Sequence, residues 1–391
     1  MYKTVKYRLY PTQTQKEELN QSFGNVRWLY NYLLNLNIET YFNTGKGLSR
    51  NQMQKLLPSL KKNEDTIWLA KTYSQCLQVV CLHLSEAYRN FFQKRAGFPR
   101  FKSKHKKQSL TFPQNVRLED DSIKFPGIGS IYTKISKRPN GSVKTAVITM
   151  NQVGQYHASV LFDDGKPTGE TNVSKGDKAI GIDLGLTHFA ITSDGSKFNN
   201  PKWIKKHLIN LKVKQQKLSR KVKGSNNRNK ARRQVAVVHL KIANCRADCQ
   251  HKLSRRIVNE NQVIVVENLA VFNMVKNRKL SKAIQQVGWG QFCSMLKYKA
   301  EQEGKVYLEV DRFFPSSKIC NVCLNQVSNL PLSIRHWDCN SCHTHHDRDI
   351  NAAINIREEG LRILELGTSS TAYRPDVRLD GAFCTLKQFV G

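Results

Sequence analysis

The chain has 391 residues, enough for about two to four domains with cores of their own. Hydrophobic residues make up 39% and charged residues 24%, which excludes a wholly disordered chain. Lys and Arg number 63 against 30 Asp and Glu, and the resulting charge of +33 calls for a large polyanion as partner. No run of about 18 apolar residues is present, so no membrane helix is expected. Met1-Tyr2-Lys3-Thr4 lacks the apolar run of a secretory signal. The expectation is a cytoplasmic protein whose cysteines are free or metal-bound.

Residues 3–9 alternate polar and apolar like a half-buried strand. From Gln15 to about Ile38, Leu19, Phe23, Val26, Tyr30, Leu33 and Leu34 recur at helical spacing. A second helix runs from Thr72 to Gln93, with Cys76 and Cys81 on its apolar side, where core packing is the better reading. The helical block ends at Gly97-Phe98-Pro99. The next segment, Arg100-Phe101-Lys102-Ser103-Lys104, interleaves cations with an aromatic ring, which suits phosphate contact plus base stacking as well as it suits a solvated loop. Short strands follow at 109–112, 122–125, 131–135, 143–150 and 156–162, separated by Gly, Pro, Asn and Asp turns. They predict a small barrel, completed by the N-terminal strand, with the helical block inserted into it.

A polar linker over 165–177 leads to a second domain. Ala179–Asp183 and Thr187–Thr192 predict two strands joined by a tight turn, the first ending in a carboxylate. Residues 202–258 predict a helical hairpin turning at Gly224-Ser225-Asn226-Asn227. Its apolar stripes are Ile204, Leu208, Leu211, Leu218, Val222 and then Val235, Val238, Ile242, Cys245, Cys249, Leu253, Ile257. Between 202 and 256 there are eighteen Lys/Arg and one acid, Asp248. A surface that repels itself this strongly favours contact with nucleic acid. Gln262–Val266 predicts a buried strand running into Glu267, followed by a helix at 287–302, a strand at 305–310 and a last helix at 349–366.

Between these last two elements lie Cys320-x-x-Cys323 and Cys339-x-x-Cys342, fifteen residues apart. That is the spacing of a closed four-thiolate zinc site, and in a reducing compartment it outweighs disulfide pairing. Seven residues beyond Cys342 stands Asp349, with Asp347 and Arg348 before it. Phosphodiester hydrolysis needs an activated water and a stabilised leaving oxygen, which two Mg2+ ions about 3.5–4 Å apart supply through carboxylates. Asp183 and Glu267 at strand ends meet that need, with Asp349 or its rival Asp347 at a helix start. The order strand Asp, strand Glu, helix Asp is that of an RNase H-like nuclease core. Arg348 is a candidate for contact with the scissile phosphate, a surface salt bridge being the alternative.

Together these segments resemble the TnpB nucleases of bacterial insertion sequences, relatives of type V CRISPR effectors. The resemblance is carried by Tyr7-Arg8-Leu9-Tyr10-Pro11, Phe98-Pro99-Arg100-Phe101-Lys102-Ser103 and Gly181-Ile182-Asp183-Leu184-Gly185. Val266-Glu267-Asn268-Leu269, Pro315-Ser316-Ser317-Lys318 and Asp347-Arg348-Asp349-Ile350-Asn351-Ala352-Ala353 add to it. Where relatives follow each C-x-x-C with glycine, this chain has Leu324 and His343. The resemblance implies an α+β multidomain fold. A RuvC-type nuclease domain (171–314 and 344–366) would hold an inserted four-cysteine zinc module (315–343). A wedge-like β-barrel (1–10 and 98–170) would hold a helical recognition block (11–97), and a mobile tail would follow from 367 to 391. It also implies Asp183, Glu267 and Asp349 as catalytic Mg2+ ligands and a guide RNA derived from the transposon end. The target would be double-stranded DNA, the protein a monomer, and the adjacent motif would be read by Lys71, Tyr73, Gln75 and Gln78. The alternatives are a nuclease that needs no guide and a cleavage-inactive RNA-guided regulator.

Overall fold

The computed structural model describes residues 1–165, 177–200, 203–331 and 333–369. The interior of the expected linker and the tail beyond 369 lie outside these residues. Residues before 166 form one compact unit and those from 177 on form another. Among the described residues no helix is long and apolar enough to cross a membrane.

The first unit opens with strand β1 (Tyr2–Leu9) and helix α1 (Gln13–Thr44). Thr12 caps α1 by accepting from the Gln15 N–H, while the Gln15 side chain accepts from the Thr12 N–H. Short helices α2 (Arg50–Lys55) and α3 (Leu57–Lys62) and a 3-10 turn (Glu64–Lys71) lead to α4 (Ser74–Phe92). Then come β2 (Gln108–Phe112), β3 (Arg117–Leu118), β4 (Ser122–Phe125), β5 (Gly129–Tyr132), β6 (Ser142–Met150) and β7 (Tyr156–Asp163). The first strand does join the later ones: β1 pairs with β7 along its whole length. The strands do not close into one barrel ladder, however. They form a four-stranded sheet, β1-β7-β6-β2, and a three-stranded sheet, β3-β4-β5, bridged at Leu9 and Thr133. Alternation explains the core: Tyr156, Ala158, Val160 and Phe162 of β7 point inward beside Leu110, Phe112, Ile123 and Phe125. Leu19, Phe23, Leu29 and Leu33 of α1 and Cys76, Leu77, Cys81 and Leu84 of α4 belong to the same core. Burial pushes the thiols of Cys76 and Cys81 up to about 12 and about 11, as expected of packing residues.

The second unit is built on a five-stranded sheet. Strands β8 (Ala179–Asp183), β9 (His188–Thr192) and β10 (Lys197–Asn199) form an antiparallel meander. Helices α5 (Trp203–Ser219) and α6 (Asn226–Glu260) form the expected hairpin, closed by Leu208, Leu211, Val235, Val238 and Ile242. Val222 falls outside that stripe and is exposed, because α5 has already ended. Strand β11 (Val263–Glu267) then runs parallel to β8, and its Val263, Ile264, Val265 and Val266 are all fully buried. After α7 (Val271–Met274), α8 (Ser281–Val287) and α9 (Trp289–Gln302), β12 (Val306–Val310) pairs parallel to β11. A two-stranded ribbon, β13 (His336–Asp338) and β14 (His345–Asp347), precedes α10 (Arg348–Ser369). The sheet order is β10-β9-β8-β11-β12.

The two faces of this sheet have different partners. Ile180, Ile182, Ile264 and Val266 face α6 and α9 through Ile257, Val258, Phe292 and Leu296. Val263, Val265 and Val310 face α10 through Ile356. Helix α10 comes so close that a Cβ on Gly181 would lie 2.0 Å from the Ala353 carbonyl oxygen and 2.6 Å from the Arg357 nitrogen. Only glycine permits that approach. Gly181→Ala should therefore lower stability by about 3 kcal/mol or more in urea denaturation. Gly290→Ala, with nothing within 4 Å of the added methyl, should leave it unchanged or slightly raised.

Candidate active site and four-cysteine module

Strand parity and the glycine contact together define the acidic site. Asp183 lies two residues beyond Gly181 and Glu267 two beyond Val265, so both carboxylates leave the sheet on the α10 face. Asp349 sits in the first turn of α10. Burial first, and then the like charge of Glu267 and Asp349, raise the pKa of Asp183 to about 7. The Leu184 N–H and Arg348 oppose this less strongly. Burial also raises Glu267. Asp183 thus lies within electrostatic reach of both other acids that the sequence set apart.

Asp347, the rival for the third position, has another task. Its Oδ1 accepts from the N–H groups of Asp349 and Ile350, both at 3.1 Å, and so caps α10. Burial alone would raise its pKa, but Lys197 and these two N–H donors outweigh that and hold it down. Arg348 corrects a sequence expectation. It is buried, and its guanidinium donates to the carbonyls of Leu330, Pro331 and Ile334 rather than facing nucleic acid. A helix start that must carry the preceding ribbon turns this side chain inward. A different arginine, Arg335, reaches the site: its Nη1 lies 3.1 Å from Asp349 Oδ1 with its side chain half exposed. No spacing rule singles out Arg335, because only the ribbon brings it there.

The four cysteines gather with all their sulfurs within 4.8 Å of one another. Cys320 and Cys342 are 3.6 Å apart and Cys323 and Cys339 3.5 Å. A zinc–thiolate tetrahedron has edges of about 3.8 Å, so the set fits that ion. The module is built from two like turns. Leu324 N–H donates to the Cys320 carbonyl and His343 N–H to the Cys339 carbonyl, each at 2.9 Å. Leu324 has φ 62° and His343 φ 55°. These are left-handed positions that glycine would occupy without strain. His343 is exposed and takes no part in the cluster. His346 is buried with Nε2 3.1 Å from Cys320 Sγ, placed to donate to a thiolate. The Thr344 hydroxyl and N–H hold Cys342 down at about 6. Cys323 is pushed up to about 11: the Asn325 N–H favours its thiolate, but proton sharing with Cys342, Cys339 and Cys320 outweighs that. Metal binding here would therefore release protons.

Two asparagines, neither of them a predicted site residue, join module to helix. Asn351 Nδ2 donates to the Ile319 carbonyl at 2.7 Å and its Oδ1 accepts from Asn321 N–H at 3.0 Å. Asn355, one turn on, donates to the carbonyls of Ser316 and Ile319, both at 2.7 Å. Both are buried. Polar residues at i and i+4 on a helix face otherwise made of Ala352, Ala353 and Ile356 are the signal that could have found them.

The other candidates lie in the first unit. Arg100, Phe101, Lys104, Lys71 and Gln78 are exposed, as nucleic-acid contact requires. Lys102 has its backbone clamped by Asn31 and its Nζ 3.9 Å from the Tyr30 ring centroid. Tyr73 is mostly committed to packing, stacked on Phe112 with its hydroxyl donating to Gln75.

The fold has a counterpart among solved structures. The protein of a cryo-EM structure of the Cas12f1–sgRNA–target DNA complex matches with a TM-score of 0.57 at 13% identity, over 91% of this chain and 98% of that one. The class is therefore that of the Cas12f-type fold. Residues 157–278 match the OrfB family of IS605 elements, described as a probable transposase, and 289–356 match a Cas12f1-like TNB domain. Residues 1–46 match a helix-turn-helix domain, although here they hold β1 and one unbroken helix up to Thr44. A relative from Streptomyces pristinaespiralis, named as an RNA-guided DNA endonuclease, is 36% identical over 96% of this chain and 94% of its own. InsQ of Escherichia coli, named likewise, is 30% identical over 95% of each. The chain belongs to the TnpB family of OrfB proteins.

The charge state of Asp183 yields a stability prediction. Its proton affinity in the fold exceeds that of an unfolded aspartate, so unfolding is favoured as pH rises from about 4 to about 7 and the unfolded carboxyl ionises first. In protein stripped of divalent ions, Asp183→Asn should raise the melting temperature by a few degrees at pH 7 and leave it nearly unchanged at pH 4. Equal shifts at both values would contradict the assignment.

Proposed function

We propose that this protein is an RNA-guided DNA endonuclease of a transposable element, cutting DNA beside a short transposon-associated motif. What carries the reading is one coincidence. A chain matching relatives of that name from end to end brings carboxylates from three separated segments to one sheet edge. Asp183, Glu267 and Asp349 would be the ligands of Mg2+, and the like-charge excess among them is what a divalent ion offsets. When bound, the metal supplies an activated water and stabilises the leaving oxygen. Asp347 fixes the start of α10, and Arg335 offsets charge at Asp349. The sheet order β10-β9-β8-β11-β12, an antiparallel meander extended by two parallel strands, supports an RNase H-like, RuvC-type domain.

Cys320, Cys323, Cys339 and Cys342 would hold a structural Zn2+. Through Asn351 and Asn355 the module then sets where α10 begins and so where Asp349 stands. The first unit would hold the wedge-like sheets and the helical recognition block. Guide RNA and target DNA would use the exposed cations Arg100, Lys104 and Lys71 and the basic α5–α6 hairpin. Pairing with the guide would read the target, and the protein would read only the short motif beside it.

Asp183→Ala should abolish cutting of a matched plasmid while the complex still binds it in a mobility-shift assay. The purified protein should carry a long RNA whose sequence programs the site cut. Cutting of the same plasmid by RNA-free protein would favour a guide-independent nuclease instead. Cys339→Ser and Asn351→Ala should each lower the cleavage rate at least tenfold by order of magnitude. Only the cysteine variant should lose zinc by elemental analysis.

A further inference from the structure

Two phenylalanines near the carboxylates have no part in the packing. Phe272 is 80% exposed and Phe313 85% exposed. Strands β11 and β12 run parallel with Glu267 opposite Val310, so their carboxyl ends share one edge. Phe272 lies on the segment leaving β11 and Phe313 on the segment leaving β12. Both therefore rise from the edge that carries Glu267.

Their exposure is held in place by their neighbours. Val271, Met274 and Val275 pack into the core beneath the sheet, while Phe272 between them points out. Phe314 packs against Val263, Val310 and Ile356, while Phe313 beside it points out. Asp311 fixes that turn, its Oδ1 accepting from the Phe313 N–H at 2.8 Å and its carbonyl from the Phe314 N–H at 3.2 Å. Arg312 Nη2 lies 3.4 Å from Asn268 Oδ1, joining the two segments one residue from Glu267. Lys276 Nζ is 5.3 Å from the Phe272 ring centroid. Residues 268–287 contain Lys276, Arg278, Lys279 and Lys282, all exposed, and no acid.

One exposed phenylalanine needs no explanation. Two on one edge, each beside a partly buried apolar neighbour, one with Lys276 against its ring and the other next in chain to Arg312, match what unpaired nucleic acid requires: a flat apolar face for the base and positive charge for the phosphates on either side. Bases inside a duplex cannot use such a face, so the ligand is single-stranded. We propose that Phe272 and Phe313 stack on unpaired bases of the DNA strand entering the carboxylate site, with Lys276 and Arg312 on its phosphates. The pair positions the strand, and this role rests on the reading of Asp183, Glu267 and Asp349 as the cutting centre.

The test uses the full chain purified with its bound RNA and engaged on a DNA target that matches this RNA, with a fluorescein-labelled oligothymidylate as probe. Phe272→Ala and Phe313→Ala should each raise KM for its cleavage on the order of tenfold, with kcat changed by less than about twofold. Tyr at either position should restore KM, and Leu, apolar but not flat, should not. An abasic oligonucleotide of the same length should erase the difference between wild type and Ala variants. An unchanged KM, full rescue by Leu, a difference that persists on the abasic probe or a lowered melting temperature in both Ala variants would each overturn the proposal. If wild type fails to cut any DNA, the cutting-centre reading falls. Fluorescence anisotropy with the same probe and variants then decides the stacking role separately, by the same ranking of Phe, Tyr, Leu and Ala.

Discussion

The contact between the backbone of α10 and Gly181 governs the second unit. A helix can lie this close to a strand only where the strand has no side chain. That single absence sets the helix against the sheet, and Asp183 follows two residues later on the same face. Gly360 repeats the device further along, where a Cβ would meet the Val265 methyl groups at 2.4 and 2.5 Å. Two glycines thus fix the line of the helix, and the helix delivers Asp349. The four-cysteine module works through the same element, since Asn351 and Asn355 hold its first turn to the loop before Cys320. The four-cysteine cluster and the helix that carries Asp349 are joined by four hydrogen bonds.

The electrostatics run against the rest of the molecule. A chain with +33 net charge concentrates three carboxylates in one half-buried place and gives them little cationic relief. Arg348, next in sequence to Asp349, spends its guanidinium on carbonyls, and Lys197 serves Asp347. Among the described residues only Arg335 forms an ion pair with Asp349, and it is half exposed. Like charges held this close raise each other's proton affinity, and they do so in a chain whose overall field is positive.

The first unit follows a different logic. Its helices and both sheets share one core in which alternating strand residues meet the apolar faces of α1 and α4. Its cations are carried on loops and helix ends outside that core, where substitution costs the fold little. The basic segment at 100–104 is anchored by Asn31 and by the Tyr30 ring at Lys102, so its remaining side chains project from a fixed backbone.

Much was legible without coordinates, because the signals were local. Periodicity of two and of 3.6 gave the strands and the long helices, and C-x-x-C spacing gave the metal module. Apolar runs ending in Asp183 and Glu267 gave two of the acids, and the resemblance to TnpB proteins gave the third. What the sequence could not supply depends on contacts between distant segments. A closed barrel was expected, but strand pairing produced two bridged sheets, since edge partners are chosen by tertiary packing. Asp347 and Asp349 look alike in sequence, and only the hydrogen bonds at the helix start make one a cap and leave the other beside Asp183. Arg348 reads as a surface cation until the carbonyls of Leu330, Pro331 and Ile334 meet its guanidinium, and Arg335 reads as nothing until the ribbon carries it to Asp349. Residue type and spacing thus determined which chemistry the chain can hold. The close approach of α10 to the sheet decided which of those residues stand together, because charge and hydrogen bonding depend on distances that sequence order does not contain.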